Sequence, residues 1–193
     1  MVKSNINLVS LFIVFSFASS VDVEDELSAL FSIKASLTDP QNNLETWRLL
    51  NASSHCTWTG VACASNGAVQ RLDLSLMNLS GIVSDDIRRL PRLEYLNLSF
   101  NGFSSSLPKA IAKLEFLRVI DVSQNSFVGD FPFGFSKQSW LTLVNSSGNN
   151  FSGYIAEDIG NAKSLEVVDL RGSYLVGSIP KSIGDLRRLK FLG

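Results

Sequence analysis

Apolar side chains return along most of this chain at a fixed spacing of 24 residues, and Leu72, Leu96, Ile120, Val144, Val168 and Leu192 form one such series. The same local alternation surrounds each member. In the unit at Leu96, apolar Leu93, Leu96 and Leu98 are interleaved with Tyr95, Asn97 and Ser99. Successive side chains of an extended strand point to opposite faces, so each unit predicts a short strand with one buried side. A lone strand cannot bury that side. Coiling the chain so that every unit stacks on the one before shelters it, and the strands then form a parallel sheet on the inner curve.

Further columns support the coil. Val69, Leu93, Leu117, Leu141, Leu165 and Leu189 enter the strands, and Leu74, Leu98, Val122, Ser146 and Leu170 leave them. Leu79, Phe103, Phe127, Phe151 and Leu175 follow. Their phenylalanines are expected to stack at roughly 5 Å, the strand spacing, and to fill the space behind the sheet. Met77, Asn101, Asn125, Asn149 and Ser173 make a polar column. A buried Asn can bond backbone groups that a turn leaves unpaired, so Asn101, Asn125 and Asn149 read as a structural ladder. Met77 and Ser173 cannot complete it, and the first and fifth turns are expected to be looser. Ser146 is expected to bond a nearby backbone carbonyl. The L-x-x-L-x-L-x-x-N-x-L spacing, at a period within roughly 20 to 29 residues, is that of a leucine-rich repeat. The fold class is therefore an α/β solenoid, a leucine-rich-repeat superhelix with its parallel sheet on the concave face. Residues 69–193 supply five full repeats and the start of a sixth.

The ends differ from the repeats. Residues 1–20 hold Lys3, an apolar stretch from Leu8 to Ala18, and small residues at Ala18, Ser19 and Ser20. This is the pattern of a cleaved secretory signal, with the mature chain starting near Val21. The stretch is shorter than the roughly 20 apolar residues of a membrane span, so no membrane insertion is expected after cleavage. Residues 21–68 read as an N-terminal cap. Leu27, Leu30, Phe31, Leu37 and the stem of Lys34 fall at helical spacing from Glu24 to Leu37, and Asp39-Pro40 ends that helix. Trp47 and Trp58 read as core plugs. In a secreted chain Cys56 and Cys63 are expected to form a disulfide; the alternative, half of a metal site, lacks further ligands. At the other end Leu189 and Leu192 are expected to face a core that no further turn closes, so the chain reads as the front piece of a longer protein.

Charge excludes more than it proposes. Lys and Arg number 17 against 18 Asp and Glu, and no basic block points to nucleic acid. Arg88, Arg89 and Arg92, Arg187, Arg188 and Lys190, and the single histidine, His55, read as solvated surface. Nucleophilic catalysis needs a base, and His55 sits beside a cysteine expected to be bridged. No phosphate loop or metal cluster is evident, so the chain reads as a non-enzyme without cofactor, catalytic residues or metal. Asn51, Asn78, Asn97, Asn145 and Asn150 begin Asn-x-Ser/Thr sequons and are N-glycosylation candidates. Sugar on Asn97 or Asn145 would cover the inner curve.

The outward columns of the sheet are the candidate recognition surface. Arg71, Tyr95, Val119, Leu143, Val167 and Phe191 form a mostly apolar stripe, and a contiguous exposed apolar stripe usually marks an interaction site. Asp73, Asn97, Asp121, Asn145 and Asp169 form a mildly anionic column, while Arg171 breaks a column of serines. Tyr95, Val119, Leu143, Val167, Asp121, Asp169 and Arg171 are accordingly the candidate ligand contacts. Five strands span roughly 19 Å, which holds about six extended residues.

After the strands come Gly177-Ser178-Ile179-Pro180 and Gly129-Asp130-Phe131-Pro132, kept in part as Ser106-Leu107-Pro108 and Gly153-Tyr154-Ile155. With the cap string CTWTGVAC from Cys56 to Cys63, these make Val21 to Gly193 resemble the extracellular domain of plant leucine-rich-repeat receptor kinases. The strings HCTWTGV, DVSQNSF, NSSGNNFSG and EVVDLRG bring it nearest to the branch of the CLE-type (tracheary-element-factor) peptide receptors and male-discoverer-interacting receptor kinases. The resemblance implies a right-handed superhelix in the extracellular space or at the cell surface. It also implies a secreted peptide or protein ligand on the inner face and a short leucine-rich-repeat co-receptor, with the membrane helix and kinase outside this chain. A dodecapeptide ligand would extend roughly 40 Å, so weak binding by this chain alone is expected. The alternatives are a secreted inhibitor of cell-wall-degrading enzymes, a short co-receptor, and a nonfunctional truncated product.

Overall fold

The computed structural model describes residues 23–131 and 140–193. The secretory signal and the start near Val21 lie outside the described residues, as does Pro132. The first element is helix α1 (Val23–Ala35), which buries Glu26, Ala29, Leu30 and Ile33. Acidic residues fill its first turn and Lys34 its last, which matches the sign of the helix dipole at each end. The helix stops short of the expected Leu37. That residue instead opens β1 (Leu37–Thr38), which pairs antiparallel with Ser80 and Gly81 of the first coil. Asp39 then accepts the backbone N–H groups of Asn43 (3.0 Å) and Leu44 (2.8 Å). Burial alone would raise its carboxyl, but these bonds hold it below the ordinary aspartate range.

A 3-10 helix (Leu49–Thr57) leads to β2 (Val61–Cys63), and β2 forms an antiparallel hairpin with β3 (Val69–Asp73). The remaining strands are β4 (Ser80–Gly81), β5 (Tyr95–Asn97), β6 (Val119–Asp121), β7 (Val128–Asp130), β8 (Leu143–Asn145), β9 (Asn150–Ser152), β10 (Val167–Asp169) and β11 (Phe191–Leu192). The main sheet has the order β11-β10-β8-β6-β5-β3-β2 and is parallel except at β2–β3. Its register places Leu72, Leu96, Ile120, Val144, Val168 and Leu192 on adjacent rungs. On the far side of the coil β7 and β9 pair in parallel. Short 3-10 helices at Asp85–Arg89, Lys109–Lys113, Glu157–Asn161 and Lys181–Asp185 close the turns.

The core runs between these layers as one continuous cluster from Ala29 to Leu186. Phe103, Phe127 and Phe151 are fully buried and stack with ring centroids 5.5 and 5.9 Å apart. Trp47 and Trp58 stack at 5.6 Å under α1, and Trp47 Nε1 donates to the Thr59 carbonyl at 2.9 Å. Lys34 contributes more than its stem, because its ammonium donates to the carbonyls of Leu44 and Trp47.

The ladder forms as expected over three rungs. Asn125 Oδ1 accepts from Phe103 N at 3.1 Å, and Nδ2 donates to the carbonyls of Leu98, Val122 and Ser123. Asn101 and Asn149 make the equivalent bonds to their own preceding coils. Met77 offers no such side-chain bonds, and the cap meets this turn through Asn43, whose Nδ2 donates to the Met77 carbonyl at 2.7 Å. Nothing substitutes at Ser173, whose buried Oγ has no partner among the described residues.

Four expectations are corrected. Ser146 Oγ is buried and bonds no carbonyl among the described residues. The slot it occupies takes apolar side chains in the neighbouring coils, so no acceptor faces it. His55 is buried, not solvated, because the cap folds its ring edge-on toward Trp58. Arg89 is not a solvated cation. It reaches back to Asp25 of α1 and lies 3.7 Å from Asp86, which ties the first coil to the cap. The Tyr95, Val119, Leu143 and Val167 stripe is half-buried rather than fully exposed, because adjacent rungs cover one another's flanks.

Candidate ligand-recognition surface

The concave face is built from the side chains of β3, β5, β6, β8, β10 and β11 that point away from the core. Parallel pairing aligns Arg71, Tyr95, Val119, Leu143, Val167 and Phe191 across six rungs. The two ends of this row are covered by arginine. Arg71 lies over the Tyr95 ring, 3.5 Å from its centroid, and pairs with Asp73 at 2.6 Å. Arg171 lies 5.3 Å from the centroid of Phe191. Val119, Leu143 and Val167 remain between them as an apolar floor.

The Asp and Asn column has a structural duty that the sequence pattern did not disclose. Asp73, Asn97, Asp121, Asn145 and Asp169 each accept, through Oδ1, the backbone N–H two residues ahead. These Asx turns steer the chain out of the strand. Asp121 also accepts from Asn145 Nδ2 at 3.0 Å. Asp169 is buried, and Arg171 donates to both of its oxygens at 2.9 and 2.7 Å. Arg171 thereby holds the Asp169 carboxyl below the ordinary aspartate range. The candidates therefore separate physically. Asp169 is a support for Arg171, whereas the guanidinium of Arg171 stands in solvent with 65% of its side chain exposed.

The sequons also separate. Asn78 and Asn150 are exposed, Asn97 and Asn145 are half-buried with both amide atoms bonded, and Asn51 lies in the 3-10 helix of the cap. Cys56 and Cys63 are bonded to each other. Their sulfurs and His55 cluster closely, yet a bridged sulfur can serve neither as a thiolate ligand nor as a nucleophile.

The repeat pattern does not distinguish Leu76 and Phe100. They are 75% and 55% exposed on adjacent coils just past the strands, with φ of 59° and 55°. Gln124, Gly148 and Gly172 repeat this left-handed conformation at the same place in later coils. The two glycines of that column were the available signal, since glycine is the usual choice there.

Two domain families match the chain: the leucine rich repeat N-terminal domain over residues 23–64, and the leucine rich repeat over residues 92–114 and 164–186. MDIS1-interacting receptor like kinase 1 of Arabidopsis thaliana is 51% identical over 82 residues, which cover 42% of this chain and 8% of that protein. The chain spans less than a tenth of the length of the first curated receptor kinases it matches. The crystal structure of the BIR2 ectodomain from A. thaliana superposes with a TM-score of 0.75 at 31% identity, covering 87% of this chain and 94% of that one. The A. thaliana receptor kinase HAESA, solved with the peptide hormone IDA and the co-receptor SERK1, gives a TM-score of 0.64 at 27% identity over 87% of this chain and 33% of that one. No helix among the described residues is long and apolar enough to cross a membrane.

Proposed function

Since the chain belongs to the plant leucine-rich-repeat receptor ectodomains, we propose that it recognises an extended secreted peptide, or an extended segment of a protein ligand, across β5, β6, β8 and β10. One observation carries this reading. Val119, Leu143 and Val167 stand in register as an apolar floor, with Arg71 at one end and Arg171 at the other. An extended segment would seat alternate apolar side chains on that floor, where partial burial already limits the desolvation it must complete. Its acidic groups would meet Arg171, and its basic groups Asp121. The peptide hormone and co-receptor bound to HAESA support both partner types for this chain, in the extracellular space or at the cell surface. Six parallel strands span about 24 Å, room for about seven extended residues. Full affinity for a longer peptide would then require more coils than this chain contains.

Selection of a displayed library of seven-residue peptides against the secreted chain tests the proposal. Enriched peptides should bind Leu143→Asp and Val167→Asp variants at least tenfold more weakly, by roughly 1.4 kcal/mol or more. Unchanged affinity for both variants would remove the concave face from the mechanism. A second reading, a short receptor that engages another leucine-rich-repeat ectodomain, draws on the BIR3–SERK2 complex of A. thaliana, where this chain covers 94% of the matched chain at 28% identity. It is separated by assaying the same variants against a co-receptor ectodomain.

A further inference from the structure

A second surface lies at the leading edge of the sheet, where each coil enters its strand. Arg92, Phe116 and Trp140 hold the same place in three successive coils, immediately before core residues Leu93, Leu117 and Leu141. Beside them runs the row Gln70, Glu94 and Arg118. Together these residues line an open depression of about 340 Å³, closed at the cap end by the turn between β2 and β3. Phe116 is 37% and Trp140 53% exposed, in a fold whose other two tryptophans are buried. The guanidinium of Arg92 lies 4.6 Å from the Phe116 ring centroid, and that of Arg118 lies 5.4 Å from Trp140.

The charges in this depression are not matched. Glu94 is already engaged on both sides, accepting from Gln70 at 2.6 Å and pairing with Arg118 at 2.7 Å. No carboxylate among the described residues lies within ion-pair distance of Arg92. The lining therefore carries one uncompensated positive charge beside two accessible aromatic rings. An arginine resting its face on a ring keeps the donor edge of its fork available for a carboxylate. Exposed tryptophan and arginine in a shallow depression are also the side chains that dominate binding energy at protein interfaces.

We propose that this edge is a docking site for an acidic segment of a partner protein. The segment pairs a carboxylate with Arg92 and seats a neighbouring apolar side chain against Phe116 and Trp140. A polyanionic sugar fits less well. Its binding would draw on several unpaired cations in a row, and the depression offers one. The surface is distinct from the concave floor, because the Gln70, Glu94 and Arg118 row separates them.

The test is fluorescence anisotropy with the secreted full chain and four labelled probes: a glutamate–leucine hexapeptide, its lysine–leucine and glutamate–serine counterparts, and an oligogalacturonate. The glutamate–leucine peptide should bind, and the other three should bind at least tenfold more weakly. Arg92→Ala and Trp140→Ala should each weaken it tenfold or more, while Arg188→Ala, at an exposed site elsewhere, should leave it unchanged. Arg92→Glu should transfer the preference to the lysine–leucine peptide, a result that loss of folding cannot imitate. The proposal is overturned by no saturable binding of the glutamate–leucine peptide up to about 1 mM. It is equally overturned by tighter binding of the oligogalacturonate, or by affinities that ignore both Arg92 and Trp140.

Discussion

Glu26 shows how one residue can escape a pattern. An acid in the first turn of a helix is favoured by the helix dipole where it meets solvent, yet Glu26 in the first turn of α1 is 1% exposed. One oxygen accepts from Val69 N at 2.9 Å, and the other has no partner among the described residues. Burial raises its carboxyl above the ordinary value of 4.5, with the Val69 bond opposing that shift. Because the folded state holds this proton more tightly than the unfolded chain does, the folded state binds more protons above about pH 4.5. Stability from this group is therefore full below that pH and declines as the pH rises through the raised value. A Glu26→Gln variant keeps an acceptor for Val69 N and carries no charge. Thermal melts across the pH range should give it a flatter profile than the parent and a higher melting temperature at pH 7. A profile parallel to the parent's would show that Glu26 is not the source.

At the scale of the element, the strands and the asparagine ladder were legible in advance, because both repeat at a fixed interval and each repeat explains the next. Adjacent coils bond where the period puts them, and Asn125 serves four backbone groups on three segments. Asn125→Ala leaves the Phe103 N–H without its acceptor in the interior, while the carbonyls of Leu98, Val122 and Ser123 each keep another donor. The expected loss is about 1–3 kcal/mol in urea unfolding, the cost of one orphaned buried group. Ser173→Asn, which restores the rung missing from the fifth turn, should move the urea midpoint upward. Equal midpoints for the parent and both variants would leave the ladder without energetic weight. The same column logic found the stacked phenylalanines but failed for the Asx turns. A column of Asp and Asn on an outward face looks alike whether it greets a ligand or holds its own backbone. Only the Oδ1 contacts to residues two positions ahead distinguish the two.

The whole molecule is a stack whose stability is carried by contacts between neighbouring coils, so its first coil depends on the cap. That junction is held by Arg89 to Asp25, Glu26 to Val69 N, and the β1–β4 pair. It is also where Gly60 (φ +78°) packs so tightly that an added Cβ would lie 2.2 Å from the Asp73 carbonyl. The Cys56–Cys63 disulfide fixes the 3-10 helix of the cap to β2. Replacing both cysteines by serine should cost about 2.5 kcal/mol in the chain-entropy account of so short a loop. Hydrogen exchange should show the loss first in α1, β2 and β3, with β6 and β8 still protected. Uniform loss across all coils would mean that the solenoid unfolds as one unit rather than from the cap.

Sequence alone determined the coil, the rung register, the core columns, the cap with its bridge, and the kinship to plant receptor ectodomains. All of these rest on short strings or on a spacing that repeats, and a repeated interval carries its own long-range geometry. Tertiary structure alone decided which outward groups remain available. It buried Asp169, His55 and Glu26, laid Arg71 over Tyr95, and left Arg92, Phe116 and Trp140 together at the sheet's edge. Contacts such as Arg89 to Asp25 join residues 64 positions apart that share no period. Their pairing follows from how the cap docks on the first coil, and no local pattern encodes that.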